Sequence, residues 1–173
     1  MNAVIEAMAQ RRSCKKYLPK PVPMELLEAI AQAGTYAPNG MGRQSGKIVI
    51  LTDPEEIAAV EAVNAGILGN PAGHPFYGAP AVLIVLANQA IPTWVEDGSL
   101  VMGNLLLAAH SLGLGACWIH RARETFALPE GKALLEKWGV GGCYAGVGHC
   151  VVGYPDGNPR EAAPRKSDFV IKP

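Results

Sequence analysis

The sequence predicts one domain of the α+β or α/β class, in which helices wrap a single layer of sheet. At 173 residues the chain suits one domain, and folding at this size buries roughly 70% of the surface that the unfolded chain exposes. Hydrophobic residues make up 49% of the chain, which supplies a sizeable core. Amphipathic stretches and β-branched apolar runs alternate irregularly, without internal repeats or a linker, and this order is typical of a sheet covered by helices.

Two amphipathic helices are predicted before residue 35. The first begins near the N-terminus and has an apolar face made of Val4, Ile5, Met8 and Ala9. The second begins at about Pro23 and ends near Gly34. Its apolar stripe consists of Leu26, Leu27 and Ile30.

Two strands and a third helix follow. Residues 35–46 are dense in Gly, Asn and Pro and predict a loop, and the run KIVILT after them predicts a buried strand. Asp53 is expected to cap the third helix, with Pro54 at its first helical position. Residues 66–80 indicate a mobile loop that leads into the second strand, AVLIVLA.

The apolar stretch from Gly98 to Ile119 is the one part of the sequence long enough to be considered as a membrane-spanning helix. Four polar residues interrupt it, namely Ser99, Asn104, His110 and Ser111. Gly113 and Gly115 are expected to end the helix before a third strand. These features favour a core or interface helix.

The last third of the chain predicts a loop and short helix over residues 120–139 and a fourth strand in AGVGHCVVGYP. The tail that follows is extended in character. It is again basic, at Arg160, Arg165 and Lys166.

Composition limits the possible partners. Charged residues make up only 17% of the chain, against about 25% in ordinary soluble domains, so much of the surface must be apolar and a homodimer interface is expected. The 15 basic and 15 acidic residues cancel, which leaves no overall field to attract nucleic acid or an anionic membrane. The four cysteines form no CxxC pair and no signal-peptide pattern is present, so we expect reduced thiols and a cytoplasmic location.

Several familiar sites are missing from the sequence. It contains no GxGxxG, and neither Gly-Lys pair has the flanking residues of a P-loop. Zinc-ligating residue types do occur, at Cys117, His120, Cys143, His149 and Cys150. Within each close pair the side chains would point to opposite faces of a strand, so we expect no metal. Cys14 is next to Lys15, and a nearby cation favours the thiolate form of a cysteine, which makes Cys14 a candidate nucleophile. Nothing in the sequence identifies a partner base.

Two basic clusters remain, residues 11–15 near one end of the chain and Arg165 with Lys166 near the other, together with a Gly/Asn loop at residues 38–42. Guanidinium groups bind phosphate oxygens bidentately, lysine adds a point charge, and glycine allows close approach to a planar ring. The residues alone leave two interpretations open. The clusters are either solvated surface patches or a site for a phosphorylated cofactor.

These stretches, in this order, resemble the flavin-dependent nitroreductase family. The stretch RRSCKKY, followed by PVPMELLEAIAQAGTYAPNG, is similar to the opening of that family, a basic Arg-x-Ser-x-Arg/Lys stretch, a helix and an Ala-Pro turn. DGSLVMGNLLLAAHSLGLGACWI resembles its central helix and following strand, and VVGYP its late strand. The match covers nearly the whole chain, and its order and spacing are the specific part.

The resemblance implies an α+β fold with a central, mostly antiparallel sheet in an intertwined homodimer. It also implies two FMN sites built from both subunits, in which NADH or NADPH reduces the flavin before the oxidant enters, a ping-pong order. The expected oxidants are nitroaromatic, quinone or similar electrophiles. Related flavin enzymes dehalogenate substrates or fragment their flavin, and a non-catalytic flavin carrier or redox sensor is the alternative from a different functional class.

The resemblance also implies which residues hold FMN. The group near the phosphate or ring edge comprises Arg11, Arg12, Ser13 and Lys15. The group that would reach the flavin from the partner chain comprises Pro38, Asn39 and Gly40. Trp118, Ile119 and His120 would line a face or edge of the ring. Arg165 and Lys166 would close on the phosphate. No side chain is assigned as a catalytic nucleophile, because the cofactor carries the chemistry.

The sequence departs from the family pattern in three places. Residues 38–46 read PNGMGRQSG, without the Asn, Pro and Trp that the family commonly has there. His120 stands where many members carry an acid or a small residue, and it either adjusts the flavin potential or caps a strand end. The chain lacks a long insertion, so the pocket is either open or covered only by residues 66–78.

Overall fold

A four-stranded sheet forms the centre of the chain in the computed structural model, which describes residues 2–172. The strands are β1 (Gly46–Leu51), β2 (Ala81–Asn88), β3 (Gly115–Ile119) and β4 (Tyr144–Gly153). Their order across the sheet is β1-β2-β4-β3, and all three pairings are antiparallel. The predicted antiparallel sheet is therefore confirmed, and the fold is α+β.

Helices cover the sheet. Within residues 2–172 they are α1 (Ala3–Gln10), α2 (Met24–Thr35), α3 (Pro54–Ile67), α4 (Trp94–Ser111), α5 (Ala122–Ala127) and α6 (Pro129–Lys137). Asp53 caps α3 as predicted, because its Oδ1 accepts a hydrogen bond of 2.8 Å from the Glu55 amide. A single 3₁₀ turn, Gly40–Gly42, interrupts the loop before β1.

Two helix predictions need correction. Helix α4 begins at Trp94, four residues before the expected start at Gly98, and its first turn holds Glu96 and Asp97, which suit the positive end of a helix. The single short helix predicted over 120–139 is two helices. Leu128 lies between them in an extended conformation (ψ 156°), because the residue before a proline disfavours helical backbone.

The core lies on both faces of the sheet. Val82 and Ile84 of β2 face a cluster that includes residues of α3, α5 and α6, while Leu83 and Val85 face α2 and α4. Residues 81–87 are all fully buried, which explains their unbroken apolar run. Burial of each large aliphatic side chain contributes roughly 1.5–3 kcal/mol, and β2 is therefore the most strongly anchored strand.

Helix α4 packs into the core through Met102, Leu105 and Ala109, which are fully buried. Within the described part of the chain, no helix combines the length and apolar character needed to cross a bilayer. The predicted core position of this helix is thus what the structure has.

Some apolar side chains remain exposed. On α1, Val4, Ile5 and Met8 are 58%, 49% and 58% exposed. In the tail, Phe169, Val170 and Ile171 are more than two-thirds exposed, at 79%, 72% and 81%. The apolar face of α1, correctly placed by the sequence pattern, is therefore not covered by the chain itself.

His149 of β4 is a fully buried side chain beside Phe76 and Phe126, with ring centroids 5.2 and 5.9 Å away. Neither ring nitrogen has a well-formed hydrogen bond among the described residues. Burial lowers the pKa of His149 to about 4, although the backbone of Ile119 and His120 opposes the shift in part. His149 is therefore neutral at pH 7.

We expect this histidine to make stability pH-dependent. Its pKa in the folded state lies below the ordinary 6.5, so its contribution is complete above pH 6.5 and is lost as the pH falls towards 4. A shift of this size corresponds to roughly 3 kcal/mol. Urea unfolding of the apoprotein between pH 7.5 and 4.5 should show the free energy of unfolding decline. In His149→Leu this decline should be smaller.

His110→Gln is the control, because it removes a histidine that is only half-buried on α4. It should retain the wild-type decline. A decline of equal size in His149→Leu would show that other groups cause it.

Candidate functional site

The basic segment of residues 11–17 runs along the outer edge of β3. Ser13 forms a parallel bridge with Ala116, and the Cys14 amide donates to the Ala116 carbonyl at 3.0 Å. Gly115 makes this approach possible, because a Cβ there would lie 2.7 Å from Cys14 Sγ. The edge strand thus places Ser13 and Lys15 beside the end of β3.

A cavity of about 620 Å³ opens at that end, and we call it the Trp118 cavity. Its lining residues are Ser13, Lys15, Leu68, Asn70, Gly73, His74, Pro75, Tyr77, Cys117, Trp118, Ile119, His120 and Arg121. Two of these are cations at neutral pH, two are histidines, and none is acidic. Its volume lies within the range of small-molecule sites, about 300–1,000 Å³.

Lys15 has an aromatic neighbour in the cavity. Its Nζ lies 5.6 Å from the centroid of the Tyr77 ring, within the range of a cation–π contact. Tyr77 belongs to a loop that is anchored next to it, because Glu61 of α3 accepts a 2.7 Å hydrogen bond from the amide of buried Phe76. No carboxylate among the described residues pairs with Lys15, so its charge is available to a ligand.

Trp118 lies against β4. A Cβ at Gly148 would collide with its indole nitrogen, so a glycine is needed for the ring to lie there. The indole N–H is buried and lacks an acceptor within the described chain.

A buried side chain of α3 stabilises the turn after β3. Asn64 of α3 is fully buried, and its Nδ2 donates to the carbonyl of His120 at 2.8 Å. The His120 side chain is exposed and lines the cavity.

A second cavity, of about 720 Å³, shares Ser13 and Lys15 with the first and also contains Arg12. Arg12 Nη1 donates to the carbonyls of Ala9 and Arg11, so it also caps the C-terminal end of α1. Arg11 lines neither cavity, but its buried Nη1 has no acceptor among residues 2–172. Arg12 thus lines the second cavity and not the Trp118 cavity, and Arg11 lines neither.

The loop of residues 38–46 lies elsewhere, at a third cavity of about 600 Å³ that includes Asn39. Asp97 of α4, only 3% exposed, holds the loop. It accepts from the Gly40 amide at 2.9 Å, the Ser45 hydroxyl at 2.7 Å and the Thr93 hydroxyl at 3.2 Å. Burial alone would raise the pKa of Asp97, but these hydrogen bonds together lower it below its ordinary value of 3.8.

The predicted tail cations Arg165 and Lys166 lie apart from the three cavities. Arg165 and Lys166 are exposed, and the Arg165 guanidinium donates to its own neighbour, the carbonyl of Ala163. Within one chain the tail therefore meets the N-terminal basic cluster through Arg160, which lines the second cavity with Arg12 and Lys15, whereas Arg165 and Lys166 line none of the three cavities.

Cysteines and histidines do not cluster. Cys117 and Cys150 belong to the cores on opposite faces of the sheet, and residues 2–172 contain no group of three His, Cys, Asp or Glu side chains placed to hold a metal ion. Burial raises the pKa of the Cys117 thiol, against a smaller lowering by the Ser13 hydroxyl. Cys117 therefore lines the Trp118 cavity as a neutral thiol.

The structure thus brings together part of the predicted set. Ser13, Lys15, Trp118, Ile119 and His120 line one cavity. The sequence analysis did not identify the other eight lining residues as site residues, namely Leu68, Asn70, Gly73, His74, Pro75, Tyr77, Cys117 and Arg121. The first six lie in the loop that it noted as a possible cover, so the signal was positional and no residue type marked them.

Comparison with known proteins agrees with this architecture. A model of the nitroreductase family matches residues 8–154, and the chain belongs to that family. A nitroreductase of Bacteroides fragilis with bound FMN superposes with a TM-score of 0.89 at 27% identity, covering 99% of each chain.

Two relatives from other organisms extend the comparison. The chain is 31% identical to a candidate NADH dehydrogenase/NAD(P)H nitroreductase of Methanothermobacter thermautotrophicus, over 73% of this chain and 70% of that protein. It is 29% identical to an NADPH-flavin oxidoreductase of Vibrio harveyi, over 99% of this chain and 73% of that protein.

We expect Asp97→Asn to loosen the 38–46 loop. The amide keeps the shape of the side chain but loses one acceptor oxygen in a buried position, which should lower the free energy of unfolding by about 1–3 kcal/mol at pH 7. Because the carboxylate form makes these bonds, the difference from wild type should narrow as the pH falls below about 4. Urea unfolding and limited proteolysis of the loop measure both effects.

Glu96→Gln provides the matched control, since it makes the same charge change one residue away on the exposed side of α4. It should stay within about 0.5 kcal/mol of wild type. Equal losses in the two variants would assign the effect to charge on the helix rather than to the loop contacts.

Proposed function

We propose that the protein is an FMN-dependent NAD(P)H oxidoreductase that reduces nitroaromatic, quinone or similar electrophilic small molecules by ping-pong hydride transfer. The observation that carries the proposal is the Trp118 cavity, which is lined by two cationic side chains and the large aromatic rings of Tyr77 and Trp118, with no carboxylate among the described residues. Family membership and the FMN in the Bacteroides fragilis structure support the choice of cofactor. The names of the two relatives support NADH or NADPH as the reductant.

The donor set of the cavity and its surroundings fits FMN. Lys15 and the Ser13 hydroxyl provide a point charge and a hydrogen-bond donor, and the buried Arg11 Nη1 is an N–H without an acceptor. A phosphate or the pyrimidine oxygens of a flavin would satisfy such groups. Trp118 and Tyr77 provide apolar surface for a planar ring system.

Residues that line the cavity contribute to the reaction through their charge and their shape. FMN, when bound, supplies the hydride chemistry between nicotinamide and oxidant. Lys15 stabilises negative charge that develops in the cavity, because it is not paired with a carboxylate. Trp118 and Ile119 restrict the space in which two planar molecules can stack, which orients them. The protons of the reduced product come from solvent.

We propose further that the site is completed by a second copy of the chain. In one chain the loop of residues 38–40 contributes Asn39 to a different cavity and none of its residues to the Trp118 cavity, and Arg165 with Lys166 lies in the exposed tail. The exposed apolar residues of α1 and of the tail are the surfaces for an intertwined homodimer. In this arrangement the 38–40 loop approaches the flavin from the partner, and the tail cations close on its phosphate.

The alternative is a flavin carrier or redox sensor without turnover. The same cavity would serve it, and the two functions differ in their response to nicotinamide. The deciding experiment is a visible spectrum of the purified protein loaded with FMN, recorded anaerobically before and after addition of NADH or NADPH. Bleaching, followed by recovery of colour with a quinone or nitroaromatic, supports the enzyme. A bound flavin that neither nicotinamide reduces favours the carrier, and a protein that binds no FMN rules out both.

Lys15→Ala and Arg165→Ala are each expected to weaken FMN binding by about 10- to 100-fold, the loss of one charge-assisted contact. Lys16→Ala is the control within the same cluster. Lys16 is exposed and pairs with Asp156 at 2.6 Å, so affinity should stay within about threefold. Fluorescence titration of the apoproteins measures the constants, and equal losses in Lys15→Ala and Lys16→Ala would indicate a general charge effect.

We expect the wild-type protein to sediment as a dimer. Val4→Lys with Met8→Lys places two charges on the exposed apolar face of α1 and should produce a monomer, because buried unpaired charges are costly. Leu128→Lys changes an exposed leucine between α5 and α6 and should leave the dimer intact. A wild-type monomer that still binds FMN would contradict the two-subunit site.

A further inference from the structure

Arg121 has an unusual backbone conformation at the edge of the Trp118 cavity. It lies directly before α5 with φ 73° and ψ 13°, in the left-handed region where a side chain costs roughly 1–2 kcal/mol. Glycine would adopt this conformation without that cost. Such strain is stored preferentially at functional sites, so the side chain of Arg121 is the feature to explain.

The guanidinium of Arg121 is held in one place. Its Nε and Nη2 both donate to Asn64 Oδ1, at 3.2 and 3.0 Å. The amide of Asn64 is fully buried, and its other end donates to the His120 carbonyl. The Asn64 Nδ2 group donates to the His120 carbonyl and Oδ1 accepts from the Arg121 guanidinium, so both partners fix the orientation of the amide.

The charge of Arg121 is not neutralised by this contact. Asn64 is an uncharged acceptor, and no acidic side chain of the described chain forms an ion pair with Arg121. The remaining N–H groups of the guanidinium are left for other partners. Among residues 2–172 no carboxylate lines the Trp118 cavity, so the positive field of Arg121 acts on whatever binds there.

We propose that Arg121, held by its hydrogen bonds to Asn64, presents a fixed positive charge to the Trp118 cavity. This charge increases the preference of the cavity for reduced FMN over oxidised FMN. This inference rests on the proposed function and assigns to Arg121 the tuning of the cofactor's reduction potential. A fixed cation stabilises the form of a ligand with more negative charge. The strained backbone keeps the cation at the end of β3, where Trp118, Ile119 and His120 also line the cavity.

The test measures the dissociation constants of oxidised FMN and of dithionite-reduced FMN, the latter anaerobically, for wild type, Arg121→Gln and Arg121→Lys. Glutamine keeps an N–H donor for Asn64 and removes the charge. Lysine keeps the charge and loses the pair of N–H groups that both donate to Asn64 Oδ1. The preference for reduced FMN should fall about tenfold in Arg121→Gln, equivalent to about 30 mV for a two-electron couple, and stay within about threefold of wild type in Arg121→Lys. A purely structural role for Arg121 would change both affinities together and leave the preference unaltered.

A second pair of variants tests the strain. Arg121→Gly and Arg121→Ala both lose the hydrogen bonds to Asn64 and differ only in their tolerance of a positive φ. The apoprotein of the glycine variant should melt about 2–4 °C above that of the alanine variant.

The outcomes are distinct. An unchanged preference in Arg121→Gln overturns this inference and leaves the proposed function standing. A wild-type protein that binds neither form of FMN overturns the proposed function and this inference with it. Equal melting temperatures for the glycine and alanine variants overturn the argument that Arg121 is kept against a backbone cost.

Discussion

The pairing of the basic N-terminal segment with the edge of β3 is the interaction on which the rest of the site depends. The bridge between Ser13 and Ala116 brings residues more than a hundred positions apart in the chain into register. Lys15 and Trp118 thereby line the same cavity. Without this pairing the four cations of residues 11–16 would be an ordinary solvated patch, and the end of β3 would be an open strand edge.

Electrostatics in this chain is local. The formal net charge is zero, yet the Trp118 cavity has Lys15 and Arg121 on its lining and no carboxylate. Glu61 lies behind this lining, where its carboxylate accepts a hydrogen bond from the Phe76 amide and lies 3.6 Å from His74 of the cavity wall. Because unpaired charges act most strongly where water is partly excluded, a neutral protein can still present an anion-binding site.

Residues with strained backbone are found both in loops that border the Trp118 cavity and in the loop held by Asp97. Among the described residues, the non-glycine positions with positive φ are Met41, Gln44, Tyr77 and Arg121. Tyr77 and Arg121 line the Trp118 cavity, while Met41 and Gln44 lie in the loop held by Asp97. Well-packed elements next to these loops hold such conformations: Asn64 of α3 binds the Arg121 side chain, and Asp97 of α4 binds the 38–46 loop.

Most secondary-structure elements could be predicted from the sequence, although the start of α4 and the break between α5 and α6 could not. Local signals were sufficient for the capped start of α3 at Asp53, the fully buried strand of residues 81–87 and the apolar face of α1, because capping and hydrophobic periodicity depend on neighbours in the chain. The resemblance predicted Ser13, Lys15 and Trp118 as site residues, and the structure places all three along one cavity. Tertiary structure alone decided which further residues join them. Arg121 depends on a contact with Asn64, 57 positions away, and Tyr77 on the anchoring of its loop to α3, and no local pattern records contacts that form only when distant segments pack together.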